Sequence, residues 1–301
     1  MQMEFLSKAI TTGFLMGLLA RILTLKSDYR RYPSYPQGYA VHIVLGAVAS
    51  LIGAMVIPSV VDGEYTAVSF FTLAVQQFRE VKNAERDTLT NLEDCEIVRR
   101  GNAYIEDISR KFEIRNYLAM MTSFFVSVAV LISKSVIIGI GVGAVLFILI
   151  IMFIHEKYIR DIGEIRYEKL YFDNMYLKVE DIVITNIAAD EVRKVWLERG
   201  KAVRIIPKDE ASRTTLANLG QQQAIIHDVI AQLGAINDAE EPWFTPYAKM
   251  DIKDGSIVIA VVTFENDEKH IEKAVENCPV IESARKEPRK NKARQARRKD
   301  S

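Results

Sequence analysis

The chain has 301 residues, of which 49% are hydrophobic and 26% charged, and its 39 basic side chains balance 39 acidic ones. These averages resemble those of a soluble protein, but the apolar residues are concentrated in blocks in the first half. Only two cysteines occur, Cys95 and Cys278, and both fall in segments that we place in the cytoplasm. We therefore expect free thiols and exclude a fold held together by disulfides.

Five apolar segments approach the length that a helix needs to cross a bilayer, about 20 residues. They are residues 5–25, 40–61, 65–78, 117–133 and 136–154. The third is short and ends in Gln76 and Gln77, so by itself it fits a re-entrant or interfacial helix as well as a span. The other four have the composition of membrane helices.

The distribution of Lys and Arg predicts the orientation of these segments. Residues 26–31, 79–115 and 157–166 are rich in Lys and Arg, whereas the turns at 62–64 and 134–135 hold almost no positive charge. The positive-inside rule, which counts Lys and Arg, places all three segments in the cytoplasm. The third segment must then cross. We predict a cell-membrane protein whose residues 1–154 form a five-span domain, with the N-terminus outside and the C-terminus in the cytoplasm.

The polar residues of the spans lie toward their ends. We expect the Arg21 side chain to extend to the inner membrane interface. We expect His42 to be an interfacial histidine rather than a proton relay. The small residues of the spans favour close packing of helices. The glycines of 139–143 are among them, because no strand precedes these glycines as it would in a nucleotide-binding loop. The pairs with small-xxx-small spacing are Gly13 with Gly17, Ala49 with Gly53, and Gly139 with Gly143.

Residues 101–117 predict an amphipathic helix that continues without a break into the fourth span, as part of a cytoplasmic helical segment at 79–116. Asn102 is a suitable N-cap. We predict that this helix is an interaction site, with an apolar stripe on one side and charged residues facing water or a partner on the other. The stripe is Tyr104, Ile105, Ile108, Phe112 and Ile114, and the charged residues are Glu106, Arg110, Glu113 and Arg115.

The sequence YIEDIS at 104–109, followed by FEIRNYL at 112–118, resembles the signature of the YIEGIA family, multi-pass membrane proteins of endospore-forming bacteria. The run GQQQA at 220–224, followed by His227 and Asp228, resembles the soluble part of the same family. Two positions depart from the signature, because Asp107 stands where the family has Gly and Ser109 where it has Ala. The resemblance implies a role in sporulation, near the assembly or maintenance of the spore envelope, and implies no catalytic residues.

The second half predicts a cytoplasmic α+β domain at 181–284, after a linker helix at 155–180. Strands at 182–185 and 202–206 flank a helix at 190–199. The segments 249–253 and 257–264, joined by the Asp254-Gly255 pair, predict a hairpin, which precedes a helix at 267–277 and a strand at 280–283. Two βαβ units around a helical insertion suggest a ferredoxin-like sandwich with one face of its sheet covered. The basic tail, 285–301, is expected to be disordered and to lie on the anionic inner leaflet rather than on nucleic acid.

The motifs of the cytoplasmic domain do not identify a reaction. The four histidines are scattered, and no catalytic, cofactor-binding or metal-binding pattern occurs, so we expect no cofactor or metal. His227 and Asp228 lie on the polar side of a helix with Gln223 one turn earlier, and they predict either a polar contact surface or a proton-transfer pair, although adjacent helix residues do not face each other, which disfavours a direct His–Asp dyad. Trp243 and Phe244, in an acidic loop, are candidates for partner binding or for a small additional core.

Two functions fit these features. The first is a membrane scaffold or regulatory protein that contacts lipids and other sporulation proteins, with homo-oligomerisation also possible. The second is a membrane enzyme or transporter component, with its site between the spans or in the cytoplasmic domain. The second should carry ionisable groups deep in its spans, whereas Arg21, His42 and Arg79 lie toward span ends. The sequence therefore favours the scaffold.

Overall fold

The computed structural model describes residues 2–25, 36–61, 63, 66–153, 156–236, 243–265 and 267–286. The chain divides into two compact units. One, which we call the membrane unit, comprises Met1–Asp87 and Ile108–His155, and the other, the sheet unit, comprises Thr88–Asp107 and Glu156–Ser301. Thr88–Asp107 therefore groups with the sheet unit, although the sequence assigned it to the membrane domain. The basic tail after Lys286 lies outside the described residues.

Five long helices occupy the first half of the chain. They are α1 (Gln2–Leu25), α2 (Pro36–Val61), α3 (Thr66–Leu92), α4 (Asn102–Ser133) and α5 (Val136–Phe153). Within the described residues, three helices are long and apolar enough to cross a membrane, over Glu4–Leu25, Tyr39–Val61 and Asn102–Ser133. A shorter apolar helix covers Val136–Met152. The continuous helix predicted through the fourth span is confirmed, because α4 has no Pro or Gly to interrupt it.

Small residues allow the membrane helices to approach closely, as predicted. A Cβ atom added to Gly17 would come within 2.7 Å of the Ala119 carbonyl oxygen, and one added to Gly53 would overlap the backbone of Met120. Gly139 and Gly143 likewise face side chains of neighbouring helices. Hydroxyl groups reinforce this packing, since Ser127 Oγ donates a hydrogen bond to the Ala54 carbonyl at 2.9 Å.

The sheet unit contains two antiparallel sheets. Its strands are β1 (Gly163–Glu168), β2 (Tyr171–Asp173), β3 (Tyr176–Val179), β4 (Ile182–Asn186), β5 (Gly200–Pro207), β6 (Tyr247–Met250) and β7 (Ile257–Val262). The larger sheet has the order β1-β5-β7-β6 and the smaller the order β2-β3-β4. The predicted hairpin is confirmed, because β6 and β7 pair directly and Gly255, with φ of 76°, supplies the left-handed turn residue between them.

Both faces of the larger sheet are covered. The helices are α6 (Ile159–Ile162), α7 (Asp190–Arg199), α8 (Glu210–Leu216), α9 (Leu219–Leu233) and α10 (Glu268–Glu276). Apolar residues of α9 and α10, such as Ile225 and Val275, pack against one face of β7. Trp196 of α7 and the smaller sheet pack against the other face. Every residue of β7 is buried, which explains its uninterrupted apolar sequence.

The α+β class is confirmed, but several predicted details of this unit are wrong. The strands on either side of α7 lie in different sheets, residues 282–284 form a 3-10 turn instead of a strand, and residues 163–179 form β1 to β3 instead of a linker helix. The observed βαβ unit is β5-α9-β6, in which two parallel strands flank β7. The short, charged β1 has no clear apolar pattern because it is an edge strand.

Candidate functional site

The signature segment begins in the sheet unit, where a tight loop precedes α4. Glu93 holds this loop, because its carboxylate accepts hydrogen bonds from the backbone N–H groups of Arg100, at 2.8 Å, and Gly101, at 2.9 Å. Gly101 has a φ of 84°, a conformation that a residue with a Cβ atom rarely adopts. Arg100 in turn pairs with Glu96 at 2.9 Å. The loop is therefore a rigid, internally bonded structure.

Side chains of α9 also bind this loop. His227 Nδ1 lies 2.7 Å from the Val98 carbonyl oxygen, and Gln223 Nε2 donates to the Arg99 carbonyl. Because a carbonyl only accepts, His227 Nδ1 must carry the proton. The His227 ring also meets the Tyr104 ring edge to face, with centroids 6.3 Å apart. Burial lowers the pKa of His227, and nearby Arg100 lowers it further, so the imidazole is neutral at neutral pH.

A second set of bonds holds the chain after α10, and the sequence predicted no such contacts for its residues. Gln221 Nε2 donates to the Pro279 carbonyl at 3.0 Å, and Gln221 Oε1 accepts from the Ile281 N–H at 2.8 Å. Asp107 Oδ1 accepts from the Glu282 N–H at 2.8 Å. Asp107, the departure from the family signature, thus has a structural role. In the sequence, Gln221 was noted only as part of the run GQQQA, which resembles the soluble part of the family.

The structure brings some of the predicted interaction residues together and separates others. Tyr104, Gln223 and His227 meet around the loop before α4, and they contact their own chain. Trp243 and Phe244 lie elsewhere and have different surroundings. Phe244 packs on the cluster around Trp196, whereas the Trp243 side chain is 51% exposed, and its carbonyl accepts from Trp196 Nε1 at 3.4 Å. Of these two, only Trp243 keeps the exposure that partner binding requires.

On α4, the predicted division into apolar and charged sides holds only in part. Tyr104, Ile105, Ile108 and Phe112 are buried, Glu106 is half-buried and Arg110 is exposed, but Ile114 is 43% exposed. Arg115 is buried instead of facing water, and Glu113 is half-buried, 3.9 Å from Lys82. The helical period explains both errors. Arg115 follows Phe112 by three residues and shares its side of the helix, whereas Ile114 does not.

A buried polar cluster in the membrane unit corrects the interpretation of Arg21. Arg21 has no exposed surface, so it does not extend to the interface as predicted. Its Nε donates to Asn116 Oδ1 at 3.2 Å, its Nη1 to Thr24 Oγ1 at 3.5 Å, and its Nη2 lies 3.4 Å from His42 Nδ1. Because a guanidinium has only donors, His42 Nδ1 must accept and the imidazole must be neutral. These three contacts thus join a permanent cation to neutral polar groups.

Two further residues shape this cluster. The Phe112 ring lies beneath the Arg21 guanidinium, 5.7 Å from its carbon, and meets the His42 ring at 4.9 Å. A Cβ atom on Gly46 would overlap the Arg21 side chain, so glycine there makes room for it. Sequence reasoning missed Asn116, although its position one turn after Phe112 placed it on the same side of the helix as the apolar stripe. Among the described residues, no three His, Cys, Asp or Glu side chains come together as a metal site.

Comparison with known proteins identifies relatives across most of the chain. The family model described as YIEGIA protein matches residues 9–291. The uncharacterized protein YphB of Bacillus subtilis (strain 168) is 38% identical over 279 residues, which cover 93% of this chain and 94% of the relative. No solved structure matches the chain.

Proposed function

The chain belongs to the YIEGIA family, and we propose that it is an integral membrane scaffold or regulatory protein of sporulation. It would act in the assembly or maintenance of the spore envelope through contacts with other proteins. Membership of a family from endospore-forming bacteria supports the setting, and a relative from Bacillus subtilis agrees with it.

The observation that carries the non-catalytic part of this proposal is the use of polar side chains in the sheet unit. His227, Gln223 and Gln221, the best candidates for proton transfer or ligand recognition, donate to backbone carbonyl groups of the same chain. His227 is buried as well. A general base needs an accessible nitrogen within hydrogen-bond reach of a substrate, whereas these groups stabilise a loop. This use is typical of a binding domain rather than of an active site.

A gene replacement in Bacillus subtilis tests the proposal. The chain should restore heat-resistant spore counts in a strain that lacks YphB if loss of YphB lowers them. Crosslinking during sporulation should then capture defined protein partners, and the same experiment in growing cells should not. Normal spores from the strain without YphB, together with the absence of any sporulation-specific crosslink, would refute the proposal.

A transporter component is the second candidate, because a specific observation favours it. Arg21 is fully buried among the membrane helices, and ionisable groups inside a membrane protein commonly mark substrate or ion pathways. Replacement of His42 by Gln separates the two functions, since it preserves a neutral polar group. A scaffold should retain its crosslinked partners and spore counts, whereas a proton-coupled transporter should lose function with its partners unchanged.

We also infer that the larger sheet and its two helices form a ferredoxin-like sandwich with a rotated chain order. The unit β5-α9-β6 supports this inference, because it is a split βαβ unit, in which another strand lies between the two parallel strands. A second split βαβ unit would be β7-α10-β1, since β7 and β1 are parallel with β5 between them. In this chain β1 precedes β5 instead of following α10.

A further inference from the structure

We propose that residues 278–282 hold the base of the basic tail near the membrane, so that the tail binds the surface of an anionic lipid bilayer. We call residues 278–282 the strap. Composition alone predicts contact between the tail and lipid, and the strap adds a fixed position for the base of the tail. This lipid contact is independent of the scaffold function proposed above, because it requires no protein partner.

Hydrogen bonds fix the strap to several segments of the sheet unit. It pairs with the chain that follows α5, because the Ile159 N–H donates to the Cys278 carbonyl at 2.9 Å and the Val280 N–H donates to the Lys157 carbonyl at 2.8 Å. The side chains of α9 and α4 described above bind its remaining backbone groups. The strap is therefore held in place, and the tail starts from a defined point.

Two covalent connections keep the strap close to the predicted spans. Lys157 follows Phe153, the last residue of α5, by four positions. An extended chain of that length reaches at most about 14 Å. Asp107, which binds the Glu282 N–H, precedes Tyr117 by ten residues in the continuous helix α4. That separation is about 15 Å along the helix axis. Both connections place the strap within reach of the membrane surface.

The base of the tail brings together positive charge from two distant parts of the chain. Arg285 and Lys286, which begin the tail, are exposed. Lys157 and Arg160, in the segment that pairs with the strap, are exposed as well. Clusters of Lys and Arg directly beyond a membrane helix bind anionic headgroups. The pairing of the strap thus adds the basic residues after α5 to those of the tail.

The tail supplies most of the attraction, since Glu156, Asp161 and Glu282 offset part of the charge at its base. It has nine basic residues against two acidic ones, and it has no aromatic or large aliphatic side chain. Proteins that bind single-stranded nucleic acid commonly stack bases on aromatic rings, and the tail offers none. A bilayer surface attracts Lys and Arg within a Debye length, about 8 Å at physiological salt. Composition and the position of the strap together favour anionic lipid.

Energy transfer to acceptor-labelled lipid headgroups in nanodiscs tests this proposal on the full-length protein. In a Cys95→Ser background, a donor dye is attached at Ser283→Cys, beside the strap, or at Ser301→Cys, at the last residue of the tail; Cys278 is fully buried and is not labelled. The label at 283 should give the same transfer in phosphatidylcholine discs and in discs that contain phosphatidylglycerol, because hydrogen bonds hold the strap. The label at 301 should give more transfer with phosphatidylglycerol. That difference should vanish at about 1 M salt, where the Debye length is about 3 Å.

Replacement of basic residues by Gln identifies the tail as the cause. Four replacements in the tail should weaken its lipid binding about a thousandfold, which removes the difference between the discs. Four replacements at exposed positions elsewhere in the sheet unit should preserve it. The tail positions are Arg294, Arg297, Arg298 and Lys299, and the control positions are Lys194, Arg199, Lys249 and Lys253.

Three results would overturn the proposal. The first is equal transfer from the label at 301 in both kinds of disc at physiological salt. The second is absence of transfer from the label at 283, which would show that the strap lies away from the membrane. The third is a response to phosphatidylglycerol that the tail replacements leave unchanged. Binding of single-stranded RNA in phosphatidylcholine discs, together with the first result, would assign the tail to nucleic acid.

Discussion

Trp243 and Phe244 are adjacent in the chain, but the structure gives them different surroundings. The Trp243 side chain is half exposed, whereas Phe244 packs against the cluster that contains Trp196. Trp243→Ser should leave the melting temperature nearly unchanged and reduce the crosslinking of partners. Phe244→Ser should lower the free energy of unfolding by about 2 to 3 kcal/mol, because truncation of a packed aromatic ring leaves a cavity.

Ile252→Ser provides the matched control for this pair, because Ile252 is 85% exposed in the hairpin between β6 and β7. It should change neither stability nor crosslinking. Thermal denaturation of each variant and crosslinking yields from sporulating cells give the comparison. If Trp243→Ser lowers the melting temperature as much as Phe244→Ser does, both residues belong to the core.

His227 should make the loop before α4 sensitive to acid. Folding lowers the pKa of His227 below its ordinary value of 6.5, mainly through burial. The unfolded chain therefore binds a proton more readily than the folded chain, and stability falls as the pH drops from about 6.5 toward the folded pKa. Hydrogen-exchange protection of residues 93–101 should thus be lower at about pH 5.5 than at about pH 7.5, after correction for intrinsic exchange rates.

His227→Gln tests the cause of this effect. Glutamine retains an N–H donor for the Val98 carbonyl but does not titrate, so protection in this variant should not depend on pH. His270→Gln removes an exposed histidine from the same unit and should keep the dependence of the unmodified protein. An equal loss of protection at low pH in His227→Gln would contradict the assignment of the effect to His227.

At the scale of elements, two glycines of the membrane unit differ in how closely neighbouring helices pack against them. A Cβ atom on Gly53 would overlap the backbone of Met120 on α4, which cannot move aside as a flexible side chain would. A Cβ atom on Gly141 of α5 meets nothing within 4 Å. We expect Gly53→Ala to destabilise the helix packing by about 1 to 3 kcal/mol, and Gly141→Ala to have little effect.

The fraction of monodisperse protein after heating in detergent measures this difference. Both substitutions add one methyl group and improve helix propensity, so only their surroundings distinguish them. Equal midpoints for the two variants would show that α2 and α4 do not depend on close contact at Gly53.

Elements with strong local signals were predictable from the sequence. Residues 190–199 form the predicted helix α7, which ends as expected before Gly200, and the Asp254-Gly255 pair marks the hairpin. Strand pairing was not predictable in the same way. β1 pairs with β5 across more than 30 residues, and its alternating charges resemble those of a surface helix. Local patterns show that a strand forms, but partners distant in the chain decide which sheet it joins.

The candidate sites show the same limit. The resemblance at 104–109 and 220–227 indicated two segments, and the contacts between His227 and the loop before α4 show why both matter to the fold. Arg21 was assigned to the interface because nearby Lys26 and the end of the span suggested it. Its burial depends on Gly46 and Asn116, which belong to other helices. No local pattern around Arg21 contains that information.

At the scale of the whole molecule, the sheet unit constrains membrane crossing. Residues 88–107 and the segment after 156 contact each other, as the bond between His227 and Val98 shows, so both must lie on the same side of a membrane. α4 and α5 separate them in the chain. If α4 crosses, α5 must therefore cross back. Its 18 residues extend about 27 Å, close to the hydrocarbon thickness of about 30 Å.

The location of the N-terminus then depends on α3. This helix is not among the three long apolar candidates, because its apolar sequence ends near Gln76 and charged residues follow. If α3 stayed on one side, the basic loop at 26–31 and the basic residues of the sheet unit would lie on opposite sides of the membrane. The positive-inside rule disfavours that arrangement. We therefore predict that α3 crosses and that the N-terminus is outside.

Cysteine labelling at Glu64, which lies between α2 and α3 and outside the described residues, decides this question. In a Cys95→Ser background, Glu64→Cys should react with a membrane-impermeant maleimide in intact cells. Cys278 should not react with the maleimide, because it is fully buried. Burial also raises the pKa of its thiol well above the ordinary value, which suppresses the reactive thiolate. Cys95 in the unmodified chain is exposed and should react only after permeabilisation. If Glu64→Cys also requires permeabilisation, α3 does not cross, and the N-terminus lies on the same side as the sheet unit.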